Sequence, residues 1–164
     1  MPTPIEINNL KAAIPAAQSA AQHTGVPASV TLAQWMLESG WGLSKLALLA
    51  NNYFGIKAEH LNDPSTYREF PTTEWVNGHP EIIKAKFEYY NSEADSFIDH
   101  ARLLSQAARY APCMAVKDNA IEFANQLQAC GYSTSLDPVT HQPNYGTKLV
   151  GLMNDFNLQQ YDGV

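Results

Sequence analysis

Apolar side chains recur along this chain at the three-to-four spacing of amphipathic helices, broken at glycine, proline and asparagine. Leu10, Ile14, Ala17, Ala20 and Ala21 share one face of a helix predicted over 5–24 and closed by Gly25. Pro15 either kinks that helix or marks its true start. After the link T-G-V-P-A-S a second helix carries Val30, Ala33 and Leu37, with Leu32 and Met36 beside them. Pro27 fits its first turn, and Gly40 and Gly42 supply the backbone freedom to end it. A short third helix, S-K-L-A-L-L-A, starts from a cap at Ser44 or a neighbour and ends at Asn51-Asn52.

The period then changes. Residues 59–71 collect Asn62, Asp63, Pro64 and Pro71 and read as a loop. The runs 72–76 and 82–90 flank Asn77-Gly78, a strong hairpin signal. In the second run Ile83, Ala85, Phe87 and Tyr89 alternate with Lys84, Lys86, Glu88 and Tyr90, giving one apolar and one polar face. Helical spacing returns over 92–108, capped by Ser92, with Phe97, Ala101 and Leu104 inward. Tyr110 to Met114 reads as a turn. A helix over 118–130 turns Ile121, Ala124 and Leu127 inward and stops at Gly131. The last helix, about 144–159, buries Tyr145, Leu149, Leu152, Met153 and Phe156. The expected fold is mainly α, an α+β arrangement within one domain over 1–164. A small hairpin lobe (about 59–90) is inserted in a helical lobe, with a groove for a polymeric ligand between them.

Composition narrows the function. Hydrophobic residues at 45% and charged residues at 16% fit a packed core and exclude a disordered chain. A net charge of −6 gives no reason to bind nucleic acid, and none to dock electrostatically on another anionic polymer. No apolar run approaches the roughly 20 residues of a membrane span, so no membrane insertion is expected. The start M-P-T-P-I-E-I-N-N-L-K lacks a basic region followed by an apolar core, so no Sec-type signal peptide is read there. Cys113 and Cys130 are either one disulfide or two buried thiols, and buried thiols are favoured. The five histidines, His23, His60, His79, His100 and His141, are scattered without metal-ligand spacing, so no metal and no cofactor is expected.

The candidate chemistry centres on Glu38. It lies in the last turn of the second helix, facing the negative end of the helix dipole, between Trp35, Leu37 and Trp41. Both influences disfavour the ionised form and raise the pKa, as a general acid needs. The competing reading is a solvated glutamate at a frayed helix end.

L-E-S-G-W-G followed by N-N-Y-F-G-I-K resembles the peptidoglycan glucosaminidases of glycoside hydrolase family 73. That family includes the muramidase domain of flagellar rod-assembly proteins and many autolysins. The resemblance runs over roughly 12–160 and implies a lysozyme-like fold. It also implies an endo-β-N-acetylglucosaminidase that cuts peptidoglycan between N-acetylglucosamine and N-acetylmuramic acid. Glycosidic cleavage without a cofactor commonly uses two carboxylates. The candidates for the second are Glu59, Asp63, Glu69, Glu74, Glu81 and Glu88.

Glu74 is favoured. It sits on a strand near the hairpin turn, with Thr73 and Trp75 pointing to the other face. T-T-E followed by aromatic-x-N-G is also similar to the family's second catalytic segment. Glu81 is the reserve, and a solvated hairpin residue is the competing reading for Glu74. C-G-Y-S-T resembles the family's A-G-Y-A-T, which implies Tyr132 in the groove beside the scissile bond. Trp41, Tyr53 and Phe54 flank the acid as candidate sugar-binding aromatics, the competing reading being that they fill core, which is favoured for Phe54, and Trp75 is a candidate subsite platform on the hairpin.

The family's D-P-x-Y-A-x-K-L is interrupted here, V-T-H-Q-P-N separating Asp137-Pro138 from Tyr145-Gly-Thr-Lys-Leu, which leaves the helix start intact but does not define the shape of one groove end. The resemblance implies peptidoglycan strands as partner. The chain is expected to act as a monomer outside the cytoplasm, by an export route left open. Inversion and retention both remain. So do an N-acetylmuramidase or lytic transglycosylase on the same fold, and a non-catalytic glycan-binding or assembly module.

Overall fold

The computed structural model describes residues 1–163. Helix α1 (Pro4–Thr24) starts on a reciprocal cap: Thr3 Oγ1 accepts the Glu6 N–H, and the Glu6 carboxylate accepts the Thr3 N–H at 2.6 Å. Pro15 lies inside this helix, so it is not the start. Ala13, Ala17 and Ala20 form its buried face, and their small side chains let α1 lie against α2 (Ala28–Ser39) and α4 (Glu93–Gln106).

Helix α2 is the centre of the helical lobe, buried continuously from Ala28 to Met36. Pro27 sits one residue before it and caps nothing. An unpaired amide in the first turn of α2 is met from the far end of the chain instead. Asp162 accepts from the Ser29 N–H at 2.8 Å and from the Ser29 hydroxyl at 2.6 Å. Around α2 pack Phe97 and Leu104 of α4, Phe123 and Leu127 of α6 (Ala120–Ala129), Leu149 and Met153 of α7 (Tyr145–Asp155), and Leu158.

Several expected boundaries move. The segment 59–71 is not all loop: β1 runs from Tyr67 to Val76 with Pro71 inside it. A two-stranded sheet has two open edges, so a proline lacking its N–H can be accommodated. Strand β2 spans His79–Glu88, and the register runs from Tyr67↔Glu88 to Val76↔His79 around a turn with Asn77 and Gly78 both at positive φ. Tyr110 to Met114 is helical rather than a bare turn, a short 3-10 segment leading into α5 (Ala111–Met114). The helix expected to reach Gln159 stops at Asp155, and Leu158–Tyr161 follows as 3-10 helix. Helix α3 (Lys45–Ala50) has the expected Ser44 cap and ends at Asn51.

Backbone hydrogen bonds anchor the hairpin at its root. Ile56 and Ala58 exchange backbone hydrogen bonds with Glu88 and Lys86, and Phe87 is buried there. Toward the tip both faces open to solvent, with Ile83 exposed on one and Trp75 and Ile82 on the other. The alternation in β2 is real, but its apolar face has nothing to bury against beyond the root. No described helix is long and apolar enough to cross a membrane.

Candidate active site

The segment S-G-W-G explains how Glu38 is held. Helix α2 ends with Gly40, Trp41 and Gly42 in succession at φ of 54°, 59° and 77°. For a residue as bulky as tryptophan that conformation is uncommon and needs support. Asn9 donates to the Trp41 carbonyl at 2.9 Å, while the Trp41 ring packs edge-on against Trp35 and Phe156. Ser39 ties the turn together, its hydroxyl accepting the Gly42 N–H at 2.8 Å and donating to the Trp35 carbonyl. A Cβ on Gly42 would meet the Trp35 ring at 3.3 Å. The last turn of α2, and with it Glu38, is therefore fixed rather than frayed.

Glu38 is exposed as a residue, while protein packed around its carboxyl group removes much of the carboxyl's water. Burial raises its pKa, and the Tyr145 hydroxyl and the Lys148 charge only partly oppose that rise. Tyr145 donates to Glu38 Oε1 at 3.0 Å. Its oxygen in turn accepts from Gln34 Nε2 at 3.0 Å, and Gln34 Oε1 lies 2.9 Å from His100 Nε2.

Gln34, His100 and Tyr145 are all buried. An amide oxygen can only accept, so the His100 hydrogen is on Nε2. Burial holds His100 down to about 3, hence neutral, and holds the Tyr145 hydroxyl far above its ordinary value. Every donor in the row His100–Gln34–Tyr145 therefore points toward Glu38. With Oε1 taken by the Tyr145 proton, a proton carried by Glu38 resides on Oε2.

Glu38 shares a hollow of ≈ 370 Å³ with Phe54, Gly55, Ile56, Lys57, Leu103, Tyr132 and Ser133. The Tyr132 ring stacks on Tyr145 at 5.2 Å. Burial, and then the nearby Glu38 charge, keep the Tyr132 hydroxyl well above its usual range, so it remains a donor. The opposite wall is shaped by N-N-Y-F-G-I-K. The Asn52 amide donates to the carbonyls of Ile56 and Glu88, at 2.9 Å each, and accepts the Ile56 N–H, joining this turn to the hairpin root. Phe54 stacks on His100 at 4.0 Å and is largely buried.

Lys57 links the hollow to the hairpin. Its ammonium lies 2.9 Å from Glu74 Oε1, with both side chains substantially exposed. Such a pair contributes only about 0–1 kcal/mol and separates easily. Glu74 does not line the hollow; it is joined to one of its lining residues through Lys57 and lies directly across the strand pair from Glu81.

Glu38 and Tyr132 share the hollow with the largely buried Phe54, and Glu74 is linked to it only by way of Lys57, whereas Trp41, Tyr53 and Trp75 lie elsewhere. Trp41 packs into the helical lobe. Tyr53 lines a separate hollow of ≈ 160 Å³ with Trp35, Gly42 and Glu93. Trp75 is on the strand face opposite Glu74 and is 73% exposed. A larger hollow of ≈ 730 Å³, beside Gly25, Lys117 and Asp162, does not include Glu38, and its Asp162 is already engaged by Ser29. Among the described residues no group of His, Cys, Asp or Glu side chains is arranged to hold a metal ion.

Tyr145, Gln34, His100 and Lys57 were not singled out from the sequence as site residues. The available signal was a glutamine embedded in an otherwise apolar helical stretch, which needs a buried partner.

A family model described as mannosyl-glycoprotein endo-beta-N-acetylglucosaminidase matches residues 14–158. The chain is 35% identical over 141 residues to the exo-glucosaminidase LytG of Bacillus subtilis, covering 83% of this chain and 46% of LytG. It is 36% identical over 141 residues to the peptidoglycan hydrolase FlgJ of Escherichia coli K12, covering 84% of this chain and 42% of FlgJ. It therefore spans under half the length of either relative. The catalytic domain of the autolysin Auto from Listeria monocytogenes superposes with a TM-score of 0.80 at 27% identity, covering 99% of this chain and 90% of that one.

Proposed function

Because the chain belongs to the glucosaminidase family, we propose that it is a peptidoglycan hydrolase cutting the β-1,4 bond between N-acetylglucosamine and N-acetylmuramic acid. Glu38 is the general acid. One observation carries this reading: a carboxyl held above its ordinary pKa at the edge of an open hollow, with one oxygen occupied by Tyr145 and the other free to give up a proton. The proton passes from Oε2 to the glycosidic oxygen as the bond breaks.

Glu74 is the second carboxylate. It leaves Lys57 and moves with the hairpin tip over the bound strand, where it stabilises positive charge on the sugar or activates water. Tyr132, always protonated, donates a hydrogen bond to the sugar beside the scissile bond. Trp41, Tyr53 and Trp75 have no part in this reading, since none lines the hollow. We read the protein as a monomer acting on cell wall outside the cytoplasm.

Mass spectrometry of borohydride-reduced wall digests tests the bond assignment. Reduced glucosamine ends are expected. Reduced muramic ends would make the protein a muramidase, anhydro ends a lytic transglycosylase, and an undigested wall a glycan-binding module.

A further inference from the structure

Cys113 and Cys130 are far apart in sequence and touch in space. Cys113 belongs to α5 and is fully buried, while Cys130 follows the last turn of α6 and is partly open. Their sulfurs are 3.9 Å apart. The turn that Cys130 begins leads straight to Tyr132, and it is already clasped from the α5 side. Arg109, just before α5, donates through Nε to the Cys130 carbonyl at 2.8 Å and through its guanidinium to the Gly131 carbonyl. The Tyr110 and Tyr132 rings lie 6.0 Å apart across the same seam.

We propose that Cys113 and Cys130 form an intramolecular disulfide when the protein is outside the cytoplasm, clamping α5 to the Gly131–Tyr132 turn of the active site. The inference rests on the cell-wall reading, because a reducing cytoplasm would keep both thiols free. Closing the bond brings the sulfurs from 3.9 Å to about 2.05 Å, within reach of side-chain rotation on two elements already packed together.

Cys130, the more open thiol, reacts first. Its thiolate attacks the disulfide of glutathione disulfide or of a thiol–disulfide oxidoreductase, forming a mixed disulfide and releasing one thiolate. The Cys113 sulfur, after losing its proton, attacks Cys130 Sγ and releases the second thiolate. Two electrons have then passed from the cysteines to the oxidant. The two protons the cysteines lose balance those taken up by the departing thiolates. Burial pushes the Cys113 thiol up to about 12, so the second step is the slow one.

The test uses the whole chain, reduced and then incubated natively with glutathione disulfide. The expected product is a monomer lighter by two hydrogen atoms and resistant to alkylation. The closed loop should raise Tm by about 6–12 °C over the same protein kept in reductant. Cys130→Ser, at the partly open position, should match the reduced wild type and gain nothing on oxidation. Two thiols still alkylated after incubation, a bond only between molecules, or an unchanged Tm would overturn the proposal. Wall digestion is followed in parallel. Protein that oxidises as expected but leaves the wall intact counts against the hydrolase reading and for the disulfide. Protein that digests the wall with both thiols free counts against the disulfide alone.

Discussion

Glu38 owes its chemistry to its neighbours. Burial is the largest influence on its carboxyl, and the Tyr145 hydroxyl favours the ionised form without reversing the rise. An acid catalyst must carry its proton, so the rate should fall as pH rises through the Glu38 pKa. Tyr145→Phe removes the group that favours ionisation. The pKa should therefore rise further and the alkaline limb of kcat/KM should move to higher pH, with kcat reduced by up to about 100-fold through looser positioning. A profile displaced to lower pH would show that Tyr145 plays another part. Glu38 was legible in the sequence because S-G-W-G must stop a helix and tryptophans flank the carboxylate. Tyr145 was not. It falls in an apolar stripe with Leu149, Leu152, Met153 and Phe156, and periodicity reports that a ring is buried without reporting what its hydroxyl meets.

At the scale of elements, the row His100–Gln34–Tyr145 ties α4, α2 and α7 together through neutral groups inside the core. His100 is held down to about 3 in the folded chain, against an ordinary value of 6.5. The stability this gives is complete above that ordinary value and is lost as pH falls toward the folded one, because the unfolded chain takes up the proton first. Between about pH 7 and about pH 4, calorimetry should show Tm falling more for the wild type than for His100→Gln, which can still donate to Gln34. Parallel curves would refute a buried neutral histidine. Helix positions were legible from period and caps, with Ser44 and Ser92 both starting helices as read. The misplaced ends have local causes. Pro71 disguised the first half of β1 as loop, although an edge of a two-stranded sheet has no need of its N–H. Pro112 and its neighbours disguised α5, where proline falls in the first turn and leaves no donor unpaired.

For the whole molecule, the decisive relation is between a rigid helical lobe and a lightly anchored hairpin. The lobe fixes the acid through α2, the most deeply buried helix. The hairpin holds Glu74 on an exposed ion pair with Lys57, a residue that lines the hollow. The sequence conveyed the two-lobed plan because Asn77-Gly78 between alternating runs admits little else. It did not convey which aromatics face the hollow, since Trp41, Tyr53 and Trp75 take their directions from a left-handed turn, a second hollow and the strand pleat. The most direct measurement of the central claim is the rate at which Glu38→Gln releases reducing ends from purified peptidoglycan, beside wild type across pH. The side chain keeps its size and its contact with Tyr145 but has no acidic proton. A rate lower by about 10²–10⁴-fold, with the alkaline limb of the wild-type profile abolished, is the predicted result. Release at the wild-type rate, with that limb intact, would contradict it.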